Sequence, residues 1–282
     1  MTSFRKHYFV RPDGSDDNDG SREDSSGAFR TIQTAIEAAF SVSTLPTSPV
    51  TIHLAHGAYF GRITVSGVIP ARPDKNGFMI LLIGDEEYPE KVQLESVGAD
   101  AVRCTDGASI LVAGITLRTL QAGNLFTAKR RATIAHRNCI LGAAASETIY
   151  AHRYAEVYAL GPTTVMGGSS AFAHATARAT ISFYHQTIVF GEGIHFSTYL
   201  WGVNDATVRL DKCRIIGCAT GAIGVHVNGV LNVIETDGEW SGGTAPRVLD
   251  GGVIATDHAL ASSGKLSRLR RPGWLLHRLL GR

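Results

Sequence analysis

The chain has 282 residues, 44% hydrophobic and 18% charged, with a formal net charge of +2, a composition that excludes a disordered or collagen-like chain and fits a packed, water-soluble protein. No run approaches the roughly 18 to 20 consecutive apolar residues of a membrane span, and the opening MTSFRKHYFVRPDG holds no apolar core for a secretion signal. Thirty-one glycines against nine prolines favour many short strands and tight turns over a helical bundle.

Residues 1–49 form the first predicted unit. A strand at 8–10 precedes the loop DGSDDNDG, where Asp13, Asp16, Asp17 and Asp19 cluster. Clustered carboxylates are what calcium requires, so these four are the candidate cation ligands. The loop lacks the closing bidentate Glu of an EF-hand, and the competing reading is a solvated cap loop. Residues 30–40 then place Ile32, Ala35, Ile36 and Ala39 on one face, which predicts an amphipathic helix covering the N-terminal end of a strand-rich body.

Residues 50–260 predict a solenoid. Irregular early strands at 50–54, 62–65, 78–83 and 91–94 give way to a repeat. It comprises Ala108-Ser109-Ile110, Ala132-Thr133-Ile134, Ala155-Glu156-Val157, Ala179-Thr180-Ile181 and Ala206-Thr207-Val208, weakening to Gly229-Val230-Leu231, at steps of 24, 23, 24, 27 and 23 residues. A second pattern comes after each triplet: Ile140-Leu141-Gly142, Val165-Met166-Gly167, Val189-Phe190-Gly191 and Ile215-Ile216-Gly217. A third precedes it: Ala101-Val102, Leu125-Phe126, Ile149-Tyr150, Ala171-Phe172, His195-Phe196 and Val225-His226.

Three short strands per turn of about 24 residues cannot bury their apolar side chains alone, but coiling stacks each strand on its equivalent one turn away. The predicted fold class is all-β: a right-handed parallel β-helix with an N-terminal capping helix and Ile110, Ile134, Val157, Ile181 and Val208 stacked inside. Eight or nine turns make a rod roughly 40 Å long, ending in a partial turn at 248–256. Cys104, Cys139, Cys213 and Cys218 lack metal-type spacing and are expected as buried thiols without disulfides.

Residues 261–282 form a basic, apolar tail. The last eighteen residues hold six Lys or Arg and no acid, while residues 1–264 carry 21 basic against 25 acidic side chains, a formal charge of −4. An acidic body argues against nucleic acid as a partner. The tail, which ends in GWLLHRLLGR with Trp274, Leu275, Leu276, Leu279 and Leu280, is expected to cap the coil or dock onto a partner.

The N-terminal third resembles the start of pectin-lyase-like β-helix proteins. The resemblance lies in the strand at 8–10, the Gly/Asp-rich loop, Phe29-Arg30-Thr31-Ile32-Gln33-Thr34-Ala35-Ile36, the stretch from Ile52 through Gly57 to Tyr59, and Ile80-Leu81-Leu82-Ile83-Gly84-Asp85. It covers residues 8 to 95 and implies the fold more strongly than an activity. The superfamily includes pectate lyases, pectin methylesterases, polygalacturonases and phage tailspikes. Where the methylesterases carry Asp-Phe-Ile-Phe-Gly, this chain has Thr187-Ile188-Val189-Phe190-Gly191, with threonine in place of the nucleophilic carboxylate. The adjacent Asp pair and Gly-His-Gly of polygalacturonases are absent, Gly191-Glu192-Gly193-Ile194-His195 being a poor match, and hydrolysis needs paired carboxylates.

Aromatic and polar residues gather in the middle turns, where stacked rows suit a repeating ligand. The candidates for binding carbohydrate are Tyr150, His152, Glu156, Tyr158, His174, Tyr184, His185, Tyr199 and Trp201, because rings offer apolar faces to sugar C–H groups while imidazoles and carboxylates serve hydroxyls. His152 and His174 read as a stacked surface pair. The competing reading is that half of these fill the core or a subunit interface. The resemblance implies a spike or fibre component of a phage-like particle, made without a signal peptide, binding cell-surface polysaccharide without catalysis. Its expected partners are that polysaccharide, two further copies in a homotrimer, and structural proteins of the particle held through the tail. The alternative is a polysaccharide lyase or glycoside hydrolase.

Overall fold

The computed structural model describes residues 6–41, 49–67, 77–238 and 247–256. The chain coils through three sheets of ten, seven and eight strands, in which neighbouring strands pair in parallel as a right-handed β-helix. Sheet one runs from His7–Val10 to Val253–Thr256, sheet two from Gly57–Phe60 to Arg214–Ile216, and sheet three from Ile63–Ser66 to Arg247–Val248. Seven successive described coils place a strand in all three sheets, from Val50–Leu54 to Ala219–His226, fewer than the expected eight or nine.

Sheet one follows the sequence repeat in register. Ile110, Ile134, Val157, Ile181 and Val208 are cross-strand neighbours in succession, and all are buried. Ile80 and Leu231 extend the column at either end. Alternation explains the placement: in Glu156–Ala159, Val157 and Ala159 face inward while Glu156 and Tyr158 face out. Each fully buried Ile or Val contributes about 1.5–3 kcal/mol.

The second and third patterns are one or two residues out of the expected register. In sheet two Leu141 pairs with Val165 and Val165 with Phe190, so Val189 lies beside Ile216 rather than Ile215. In sheet three Phe126 pairs with Ile149 and Ile149 with Ala173. A one-residue slip turns a side chain from core to surface, which is why Met166 and Ile216 are exposed while Val165 and Phe190 are buried.

The helix Ile32–Phe40 begins at the Thr31 cap, whose side chain accepts from the Thr34 amide, and buries Ile32, Ala35, Ile36 and Ala39 as expected. Its cap role has a specific device. The Gln33 side chain accepts from the Thr64 amide at 2.8 Å and donates to the Thr64 carbonyl at 3.4 Å. It thereby completes the free edge of Ile63–Ser66, the first strand of sheet three, and withholds that edge from another chain. Tyr59 adds a second tie, donating to the Val10 and Ala55 carbonyls at 2.9 and 2.7 Å.

One inward position of sheet one carries an imidazole. His136 sits between Val112 and Ala159 in the sheet-one stack, is fully buried, and stacks on Phe126 at 5.3 Å with Phe183 edge-on at 6.2 Å. Neither ring nitrogen has a protein hydrogen-bond partner, and burial pushes its pKa from 6.5 down to about 4. Among the described residues no disulfide forms; Cys104, Cys139 and Cys213 are buried, as expected, and Cys218 is exposed instead. Burial pushes the Cys139 thiol up to about 11.

Candidate functional site

The outer face of sheet three gathers the polar aromatic residues. Its parallel register sets two outward rows side by side. One runs Arg103, Thr127, Tyr150, His174, Gly202, Gly224, and the other Thr105, Lys129, His152, Thr176, Asn204, His226.

The strands of this sheet lengthen along the coil, from four residues in Phe126–Lys129 to eight in Ser169–Thr176 and eleven in Ile194–Asn204. The longest departs from regular pairing on both sides of Tyr199, as a bulge does. The bulge turns Tyr199 over two glycines. A Cβ at Gly202 would stand 3.0 Å from its ring, and one at Gly224 only 2.6 Å, so the glycines leave the space the ring occupies. A continuous ring series results: Tyr150 to His174 at 5.5 Å, His174 to Tyr199 at 5.8 Å, and Tyr199 to His226 at 6.5 Å.

Polar contacts fix this series. Glu147 holds the His174 Nδ1 at 2.7 Å, which orients the imidazole. Thr176 bonds His152 Nδ1 at 2.8 Å and the Tyr150 hydroxyl at 3.4 Å. The Lys129 ammonium lies 5.2 Å from the Tyr150 ring centre, a cation–π distance. Burial, then the charges of Arg153 and Lys129, lower the His152 pKa, so a positive potential borders the face.

Of the expected carbohydrate ligands, Tyr150, His152, His174 and Tyr199 share this face. His152 and His174 are not stacked on each other; Tyr150 is the register partner of His174, and Thr176 that of His152. Glu156 and Tyr158 lie on sheet one's outer face, where burial raises the Tyr158 phenol and Glu156 adds to the effect. Tyr184 and His185 occupy the following turn, with Arg209 5.1 Å from the Tyr184 ring. Trp201 is corrected outright. It is fully buried, edge-on to Phe172 and Phe183 at 5.2 and 6.0 Å, because its ladder partners Ala173 and Ile223 are inward positions. Lys129, Glu147, Thr176 and His226 belong to the face and do not stand out in the sequence as ligands. Lys129 stands one repeat before His152, a spacing that points to it, whereas Glu147 reaches His174 across 27 residues and leaves no such trace.

Three of the four aspartates of the N-terminal loop have partners within the protein. Asp13 pairs with Arg11 at 2.9 Å, Asp16 accepts from the Arg30 and Thr31 amides, and Asp19 accepts from the Ser21 amide. Among the described residues no group of three or more His, Cys, Asp or Glu side chains is placed to hold a metal ion, and no helix is long and apolar enough to cross a membrane. Thr187–Phe190 lies in sheet two and not on this face.

No known family profile matches the chain, and no curated protein matches its sequence. Solved structures do. A pectin methylesterase from carrot superposes with a TM-score of 0.55 at 13% identity, covering 93% of this chain and 92% of its own. The pectin methylesterase PemA from Erwinia chrysanthemi gives 0.53 at 11% identity, covering 96% and 98%. At these identities the likeness establishes the fold alone, a right-handed parallel β-helix.

Proposed function

We propose that the protein binds a linear polysaccharide along the outer face of sheet three. The observation that carries this reading is the unbroken series Tyr150, His174, Tyr199 and His226, with Lys129, Glu147, His152 and Thr176 beside it. A chain of sugars presents alternating apolar C–H faces and hydroxyls, and this strip alternates rings with donors and acceptors in the same direction. The named activity of the carrot and Erwinia proteins makes carbohydrate the ligand class to test first. Binding is read by titrating capsular and plant polysaccharides into the wild-type protein and into Tyr150→Ala and Tyr199→Ala. Loss in both variants supports the reading, and unchanged affinity in both overturns it.

The alternative, a polysaccharide-cleaving enzyme, is favoured by one observation. Glu147 holds His174 through Nδ1, the arrangement of a general base with its orienting carboxylate. The two outward rows of this face hold no carboxylate to pair with Glu147, which favours elimination over paired-carboxylate hydrolysis. An assay for unsaturated products or new reducing ends, lost in His174→Gln, separates enzyme from binding module. Display as a trimeric spike on a phage-like particle rests on the resemblance of the N-terminal opening. The tail expected to attach it, residues 261–282, lies outside the described residues.

A further inference from the structure

The turns that lead from sheet three back to sheet one are stacked copies of one another. Six of the seven fully described ones have two consecutive residues with positive φ: Asp106 and Gly107 (60° and 79°), Arg130 and Arg131 (55° and 63°), Arg153 and Tyr154 (55° and 60°), Ala177 and Arg178 (52° and 63°), Val227 and Asn228 (43° and 56°), Asp250 and Gly251 (51° and 82°); the turn at Asp205 (47°) has one. Glycine and asparagine relax this conformation, whereas other L residues adopt it at a cost in free energy. The first and last of these turns use Asp-Gly. Three consecutive turns between them, Arg130-Arg131, Arg153-Tyr154 and Ala177-Arg178, carry arginine instead, and strained backbone of this kind clusters at functional sites.

The charges are unevenly neutralised. Asp106 is taken by Arg130 Nη2 at 2.8 Å and by the Ser66 hydroxyl at 3.1 Å, and Arg178 donates to the Tyr154 hydroxyl at 2.8 Å. Arg131 and Arg153 occupy adjacent turns, the amide of one bonded to the carbonyl of the other at 3.1 Å. Both are exposed and neither has a carboxylate partner among the described residues. They line an open depression of about 620 Å³ with Asp106, Gly107, Arg130 and Tyr154. Lys129 and His152 end the strands that enter these turns, so the arginine pair stands on the margin of the sheet-three face.

We propose that Arg131 and Arg153 form an anion-binding pair that seats the acidic substituents, carboxylate or sulfate ester, of the polysaccharide lying on sheet three. This rests on the glycan reading of that face. Guanidinium groups suit it because they stay charged, are weakly hydrated and bond oxyanions through paired N–H donors. Their two rungs are about 4.8 Å apart, which lets one polymer engage both.

The test uses three polymers of one backbone: dextran, carboxymethyl-dextran and dextran sulfate. Each is titrated at low and high salt into the full chain, into the double variant Arg131→Asn with Arg153→Asn, and into Tyr150→Ala. Asparagine tolerates the left-handed conformation, so the double variant should melt at or above the wild-type temperature. The expected result is charged dextrans bound more tightly than dextran, with affinity falling about tenfold or more in the double variant and falling with salt in the wild type. The carboxymethyl and sulfate arms tell which substituent is preferred. Equal binding of all three polymers, wild-type affinity in the double variant, or equally tight binding of duplex DNA would overturn the proposal. Loss in the double variant without loss in Tyr150→Ala would keep the anion site and overturn the glycan face, and no binding to any polymer would overturn both.

Discussion

Replacing His136 by leucine removes two polar atoms from a site that offers them no partner and keeps a side chain of similar size between Phe126, Phe183, Val112 and Ala159. An unsatisfied buried polar group costs about 1–3 kcal/mol, so the variant should be more stable than the wild type by that order at neutral pH. The gain should grow on acidification. Because burial lowers the folded-state pKa from 6.5 to about 4, the unfolded chain binds a proton at this position before the folded chain does. Stability is therefore complete above pH 6.5 and lost as pH falls toward 4, at about 1.4 kcal/mol per unit. Between pH 7 and pH 5 the wild type should lose about 2 kcal/mol through this residue, and the leucine variant has no proton to gain there. Equilibrium urea unfolding of both proteins at pH 7, 6 and 5 measures the difference. A stability gap that stays constant across this range, or a leucine variant weaker at every pH, would refute the reasoning.

Ile181→Asp places a carboxylate in the centre of the sheet-one column, which should cost several kcal/mol and abolish the cooperative melt seen by circular dichroism. Gln33→Leu keeps the helix but takes away both bonds to Thr64, so a freed edge strand should raise aggregation in light scattering, while the helical signal is retained. Multi-angle light scattering of the full chain and of a chain ending at residue 264 should give a trimer for the first and a smaller species for the second; monomers in both cases would remove the trimer and the tail's part in it.

Sheet one was legible because its strands are short and uniform, and an Ala-x-Ile/Val triplet marks each inward position without ambiguity. The capping helix was equally plain from Ile32, Ala35, Ile36 and Ala39. Sheets two and three were legible as strands but not in register, since doublets such as Val165-Met166 and Val189-Phe190 look alike while only the first member of one and the second of the other is buried. The site suffered most from this. The 27-residue step between Ala179 and Ala206 was the visible sign of the bulge in Ile194–Asn204, yet spacing alone does not say that the extra length turns Tyr199 outward and Trp201 inward. Glu147 is beyond sequence reading for another reason. Its partner lies one turn and several residues away, so no repeat position links them.

A chain whose strands pair only with those one coil away has a form of positional freedom that a globular enzyme lacks. The ring series from Tyr150 to His226 is held by four successive strands of sheet three and two glycines, none of them contributed by the helix or the earliest turns. Excising residues 80–109 would set Ile110 over Val50, which now pairs with Ile80, and carry the whole face about 4.8 Å nearer the cap with its internal contacts untouched. The rod's length and the face's chemistry can accordingly drift apart in evolution, the first by gain or loss of whole coils and the second by exchange of outward side chains.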